Sequence, residues 1–198
     1  MAKIITVAHQ KGGVGKSTLT LNLGLLFQAK LKTAIIDTDL QGSLIDLKNI
    51  NLTVLNNIPA DEIPLMDFDL ILIDTPPYLS DILRELLLIS DFVLVPSKAG
   101  FFDAMAIHST LGLINDAMSK NGNLKSGIVL NMIKNSSSIT SEVKCLFNNS
   151  STPLLNTMIH DRVSFTRSPM TGGILNSDDD RAIEEIYLLA EEILNKIK

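Results

Sequence analysis

The sequence predicts an α/β protein of three layers, a mostly parallel twisted sheet with helices on both faces. Three observations carry this. Short apolar, β-branched runs alternate with longer amphipathic runs along the chain. The short runs are apolar throughout, as strands covered on both faces are. A glycine-rich turn, Lys11-Gly12-Gly13-Val14-Gly15-Lys16-Ser17-Thr18, joins the first short run to the first long one.

The strand candidates are residues 4–8, 33–37, 52–55, 70–74, 92–96, 126–130 and 154–158. Helical periodicity covers 18–30, 80–90, 103–120, 139–148 and 181–197. The connection 41–69 holds Pro59 and Pro64 and reads as one strand with a small helix or turn. Residues 135–138 and 148–151 read as polar loops. No repeat or shift in composition divides the chain, so residues 1–198 form one domain, long enough to bury a full core.

Composition narrows the function classes. Hydrophobic residues make up 45% and charged residues 20%, the balance of a globular protein. The single cysteine, Cys145, allows no internal disulfide and no cysteine pair for zinc or an iron–sulfur cluster. Lysines and His9 interrupt the first apolar run, so no signal peptide is expected there. No apolar stretch reaches the roughly 18 residues of a membrane span. A cytoplasmic protein is expected. The net charge of −5 supplies no general basic field for nucleic acid, so a DNA contact requires a local patch.

The glycine turn is a phosphate site. Backbone N–H groups converge at the start of a helix, where the dipole favours an anion. Glycines let the backbone approach that anion without a Cβ between them. Lys16 reaches the β- and γ-phosphates, and the Ser17 hydroxyl ligates Mg²⁺. The generic spelling G-x-x-x-x-G-K-[ST] fails, because Gln10 stands where its first glycine belongs and Lys11 follows. The result is a variant with two lysines, Lys11 and Lys16, in one loop.

Ligands of an open parallel sheet sit beyond the carboxyl ends of its strands. The second strand ends in Asp37-Thr38-Asp39-Leu40-Gln41-Gly42 and the fourth in Ile73-Asp74-Thr75-Pro76-Pro77. Asp74, closing an apolar strand downstream of the loop, is the expected Mg²⁺ carboxylate, directly or through water. Asp39 is placed to position the water that attacks the γ-phosphate and to stand near the metal. Asn131 ends the sixth strand on the same edge and is the candidate for the adenine edge.

Together, Lys11 to Ser17, Asp37 to Gly42 and Ile71 to Pro77 resemble the deviant Walker A, switch I and Walker B segments of the ParA/MinD superfamily. The order and spacing agree, and the likeness extends through Val95-Pro96-Ser97, Phe101-Phe102-Asp103, 159–165 and 168–172. The chain is most similar to small ParA-type partition ATPases that lack an N-terminal DNA-binding domain. The resemblance implies a P-loop NTPase fold, ATP and Mg²⁺ as ligands, and a face-to-face homodimer with ATP between the subunits. It implies that Lys11 reaches the partner's phosphates, as an arginine finger does. It makes Asp39 the hydrolysis aspartate, and hydrolysis slow until a ParB-like centromere-binding adaptor stimulates it. ATP dimers of such proteins coat nucleoid DNA without sequence preference.

Some features depart from the family pattern. Leu40 stands where proline often follows the second switch I aspartate. The basic candidates for DNA (Lys134, Lys144, Arg162, Arg167 and Arg181) are sparse, and Asp178-Asp179-Asp180 adjoin the last. The terminal helix carries a broad apolar face opposite glutamates, which suits core packing better than the basic amphipathic helix that binds membranes in MinD-type relatives. His9, His108 and His160 have no metal spacing and read as surface or loop residues. A bacterial tyrosine kinase would need a tyrosine-rich tail, whereas only Tyr78 and Tyr187 occur. Two further readings share the motifs: a MinD-like or other ParA-type ATPase that positions a protein complex or conjugation machinery, and a non-hydrolysing ATP-binding scaffold.

Overall fold

The computed structural model describes residues 2–39, 44–47, 50–78, 81–134, 146–147 and 150–198. Its elements are β1 (Lys3–Val7), α1 (Lys16–Phe27), β2 (Thr33–Asp37), β3 (Thr53–Asn56), β4 (Leu70–Asp74), α2 (Asp81–Ile89), β5 (Phe92–Ser97), α3 (Phe101–Ala106), α4 (His108–Lys120), β6 (Lys125–Ile133), β7 (Leu154–His160), α5 (Val163–Thr171) and α6 (Asp180–Ile197). Single 3₁₀ turns lie at Ile63–Leu65 and Ile174–Asn176.

Among the described residues, seven strands form one sheet in the order β3-β2-β4-β1-β5-β6-β7, every pair parallel. Right-handed crossovers decide which face each connection covers. Steps from β1 to β2 and from β2 to β3 run one way along the sheet, so α1 lies on one face. Steps from β4 to β5 and β5 to β6 run the other way, so α2, α3 and α4 lie on the opposite face. The packing follows the strand period of two. Ile5, Val7, Ile35, Leu70, Leu72, Phe92, Leu94 and Val129 pack with α1 and α6. Val93, Val95, Ile128 and Leu130 pack under α4. Ile4, Ile36, Ile71 and Ile73 pack with Ile63 and Leu86.

The expected strands form within a few residues of their anticipated bounds. The connection 41–69 contributes edge strand β3 and the 3₁₀ turn at Ile63, as expected. The terminal helix packs as expected, with Ile186, Leu189, Ala190 and Ile193 in the core. The expected helix 139–148 and the loop 135–138 lie outside the described residues for the most part.

Two elements differ from expectation. The single helix 103–120 is two, broken at Ile107, which is fully buried under α4. α3 buries only Ala104, and Phe102 stays 81% exposed. Helix α5 was not anticipated. It is largely polar, holds Pro169 in its interior and buries only Phe165 and Ser168, so it lacks an apolar stripe. Its stop was readable: Gly172 and Gly173 both take positive φ, 77° and 110°.

Buried Asn22 ties α5 to α1. Its amide nitrogen donates to the Thr18 carbonyl at 2.8 Å and to Ser168 Oγ at 2.9 Å. Its Oδ1 accepts the Ile174 N–H at 2.7 Å. Truncation leaves that N–H without an acceptor in the interior. Asn22→Ala is expected to lower the unfolding free energy in a urea titration by about 2–3 kcal/mol.

Candidate functional site

Strand register sets the floor of the site. Val7, Asp74 and Asp37 are level across β1, β4 and β2. The chain leaves β1 through the turn 8–15 and enters α1 at Lys16. Gly13 and Gly15 take φ of 69° and 93°, which side chains strain against. A Cβ at Gly13 would meet open space, whereas one at Gly15 would collide with the Asn131 amide nitrogen.

That collision explains the position of Asn131. Its Nδ2 donates to the Val14 carbonyl at 2.7 Å, and its Oδ1 accepts the Met132 N–H at 2.9 Å. Met132 has a φ of 56°, where β6 bulges against β7. Asn131 is therefore a brace beneath the loop. It also lines a small cleft with Thr18, Met132, His160, Asp161 and Phe165.

The two lysines point apart. Lys16 is buried, and its amine faces the Lys11 carbonyl at 3.5 Å, inside the loop. Burial lowers its pKa, while Asp74 and Asp39 oppose the shift. Lys11 points outward, its amine 2.5 Å from Asp103 Oδ1 on α3, with its side chain 43% exposed.

Asp74 is 1% exposed at the end of β4. It hydrogen-bonds the Ser17 hydroxyl and accepts from Thr20 Oγ1 at 3.3 Å. Burial pushes its carboxyl up to about 7, with help from the Asp37 charge and against Ser17, Lys16 and Thr20. Asp37 shapes the neighbouring loop, accepting the Asp39 N–H and the Leu44 N–H, each at 3.0 Å. The Asp39 charge acts on Lys16, opposing the fall of its pKa. Leu40, Gln41 and Gly42 lie outside the described residues.

One carboxylate, one hydroxyl and a buried ammonium fit a magnesium–triphosphate complex. Mg²⁺ keeps waters and takes phosphate oxygens, so one protein carboxylate suffices. Among the described residues no group of three His, Cys, Asp or Glu side chains could cage a metal alone.

His9 corrects its expected surface placement. It is 1% exposed, and its Nδ1 accepts the Lys11 N–H at 2.8 Å. Burial, then the Lys16 charge, push its pKa down to about 4. It is a neutral imidazole with its proton on Nε2, and it shapes the entry to the loop. Arg162 is not a free cation either. It pairs with Glu185 at 3.2 Å and Asp179 at 3.5 Å, and Glu185 also accepts the His160 N–H. Lys144 lies outside the described residues. The 160–162 turn was not read as part of a ligand cleft, because its residues lie at the end of β7, far from the loop in sequence.

Fold and site define a P-loop nucleotide-binding protein. Residues 5–175 match the model of the CobQ/CobB/MinD/ParA nucleotide-binding domain, and the chain belongs to that family. It is 26% identical over 207 residues to the maintenance of carboxysome distribution protein A of Halothiobacillus neapolitanus, covering 96% of this chain and 95% of that one. A putative plasmid partition protein of Borrelia burgdorferi bound to AMPPNP superposes with a TM-score of 0.75 at 22% identity, covering 99% and 100% of the two chains. The septum site-determining protein MinD of Pyrococcus horikoshii, complexed with Mg-ADP, gives 0.70 at 20% identity, covering 98% and 96%.

The Asp74 shift fixes a sign. Between the unfolded carboxyl value of 3.8 and about 7, the folded state holds a proton that the unfolded state has released. Stability of the metal-free protein therefore falls as pH rises through that window, by at most about 4 kcal/mol. Unfolding titrations at pH 5 and pH 8 should show the part of this loss above pH 5, at most about 3 kcal/mol, and Asp74→Asn should show less of it.

Proposed function

We propose that the chain is an ATP-dependent partition ATPase that pairs face to face around ATP and Mg²⁺. The observation that carries the reading is the divergence of Lys11 and Lys16. Lys16 serves the phosphates of its own loop, while the Lys11 amine emerges at the surface, placed for a second copy's phosphates. That amine neutralises charge developing on the transferred phosphoryl group. Ser17 and Asp74 would hold Mg²⁺, which would supply positive charge against the phosphates. Backbone N–H groups of Gly12, Gly13, Val14, Gly15 and Thr18 cradle the triphosphate. Asp39 orients the attacking water and touches the metal shell. The cleft between Thr18, Asn131 and the 160–162 turn takes the base.

In this reading ATP dimers bind nucleoid DNA non-specifically, and a ParB-like adaptor triggers hydrolysis and release. Among the described candidates, Arg167, Arg181 and Lys134 are left for DNA, since Arg162 is committed to Glu185 and Asp179. A second reading is a ParA-type ATPase that positions a protein cargo such as a carboxysome. Similarity to the carboxysome distribution protein along nearly the whole chain favours it.

Light scattering should give a monomer with ADP and a dimer with ATP or AMPPNP, and equal dimerisation in both states contradicts the proposal. Asp39→Ala should retain ATP dimers and lose hydrolysis at least about tenfold; normal turnover by that variant removes the role assigned to Asp39. ATP-dependent retention on duplex DNA should weaken steeply as salt rises, because counterion release drives it. Dimerisation without DNA retention favours the protein-cargo reading.

A further inference from the structure

We propose that Glu185 is a positioning residue for the nucleotide base: from α6 it holds the turn 160–162 that walls the cleft. The proposal rests on the reading that this cleft takes the base.

The cleft has two walls of different origin. On one side stand Asn131 and Met132, at the bulge of β6, braced by the Asn131 side chain. On the other, the end of β7 supplies His160 and continues into Asp161 and Arg162. Among the described residues β7 is an edge strand, and the support that a further strand would give comes from α6. On the sheet side, the Asp161 N–H donates to the Ile133 carbonyl at 3.0 Å. On the α6 side one carboxylate does the holding. Glu185 Oε2 accepts the His160 N–H at 3.0 Å, and Oε1 lies 2.8 Å from His160 Nδ1. A carboxylate only accepts, so that nitrogen carries its proton. Oε1 also accepts from Arg162 Nε at 3.3 Å and from a terminal guanidinium nitrogen at 3.2 Å. Residues on both sides of Asp161 are therefore tied to one buried group. Arg162 and Ser164 in turn bond Asp179, the N-cap of α6.

A second glutamate separates this role from simple docking of the helix. About two turns further along α6, Glu192 accepts the Asn156 N–H at 2.8 Å and the Thr157 N–H at 3.0 Å. It makes the same kind of tie between α6 and β7, but to the middle of the strand. Both glutamates dock the helix, and Glu185 alone of the two holds the cleft wall. A wall fixed before the base arrives spares the cost of ordering it on binding. The phosphate loop is braced separately, by Asn131 and His9, so the effect of Glu185 is confined to the base.

Calorimetric titration with the magnesium complexes of ATP and of ribose triphosphate, which lacks only the base, reads this directly. Wild type, Glu185→Ala, Glu192→Ala and Thr166→Trp are compared, the last adding bulk to a residue that lines the cleft. Glu185→Ala is expected to weaken ATP about tenfold, the loss of one preorganised wall, and to leave ribose triphosphate within about twofold. Glu192→Ala should keep the wild-type ratio of the two affinities. Glu185→Gln keeps an accepting oxygen but loses the charge that pairs with Arg162; it should weaken ATP about threefold, and it carries the test if Glu185→Ala does not fold. A wild-type ratio in the Glu185 variants overturns the proposal. So does equal weakening of both ligands, or an equal change of ratio in Glu192→Ala. If Thr166→Trp loses the preference for ATP while Glu185→Ala keeps it, the positioning role alone fails. If Thr166→Trp keeps the preference, or wild type has none, the reading of the cleft as the base site fails and the positioning role fails with it.

Discussion

The site depends on a buried charge arrangement at the carboxyl edge of the sheet. Lys16 and Asp74 lie on adjoining elements, both removed from water, with Asp37 level beside Asp74. Burial moves each toward its neutral form, and each opposes the other's shift. Such an arrangement is poorly satisfied without a ligand, because an isolated buried charge is costly. In the proposed reading a polyanion with a divalent cation would resolve it, the phosphates meeting Lys16 and the cation Asp74 and Ser17.

Around that centre the structure spends hydrogen bonds on holding loops. Asn131 reaches from β6 to the Val14 carbonyl, His9 takes the Lys11 N–H, and Asp37 takes two N–H groups of the segment after β2. Asn22 ties α5 to the first turns of α1. The parallel sheet fixes where these residues begin, and the side-chain braces fix how the loops leave it. Braces of this kind hold the loop backbone in one arrangement, the sense in which a site is preorganised.

The apolar strands, the glycine loop and the strand-ending aspartates were legible in the sequence because they are local patterns. Seven β-rich runs became seven parallel strands, and Asp74 fell where an apolar run stopped. What escaped was set by contacts distant in sequence. Helix α5 shows no apolar stripe because it covers α1 through Ser168 and Phe165 alone. His9 is the loop residue it looked like, but it does not lie on the surface: the chain folds over it and leaves it 1% exposed. The ion pair of Lys11 with Asp103 spans 92 positions, and no spacing rule reaches that far. Arg162, counted among possible DNA contacts from its charge, is consumed by Glu185 on α6.

The central claim is that the first lysine of the loop serves the neighbouring subunit. Mixing Lys11→Ala with Asp39→Ala before ATP is added tests it most directly. In a mixed dimer, the Lys11→Ala subunit keeps its own Asp39 and receives Lys11 from its partner. If the lysine acts across the interface, two inactive proteins recover hydrolysis together, up to one working site per mixed dimer. A mixture as inactive as its components, with mixed dimers shown to form, would contradict the account.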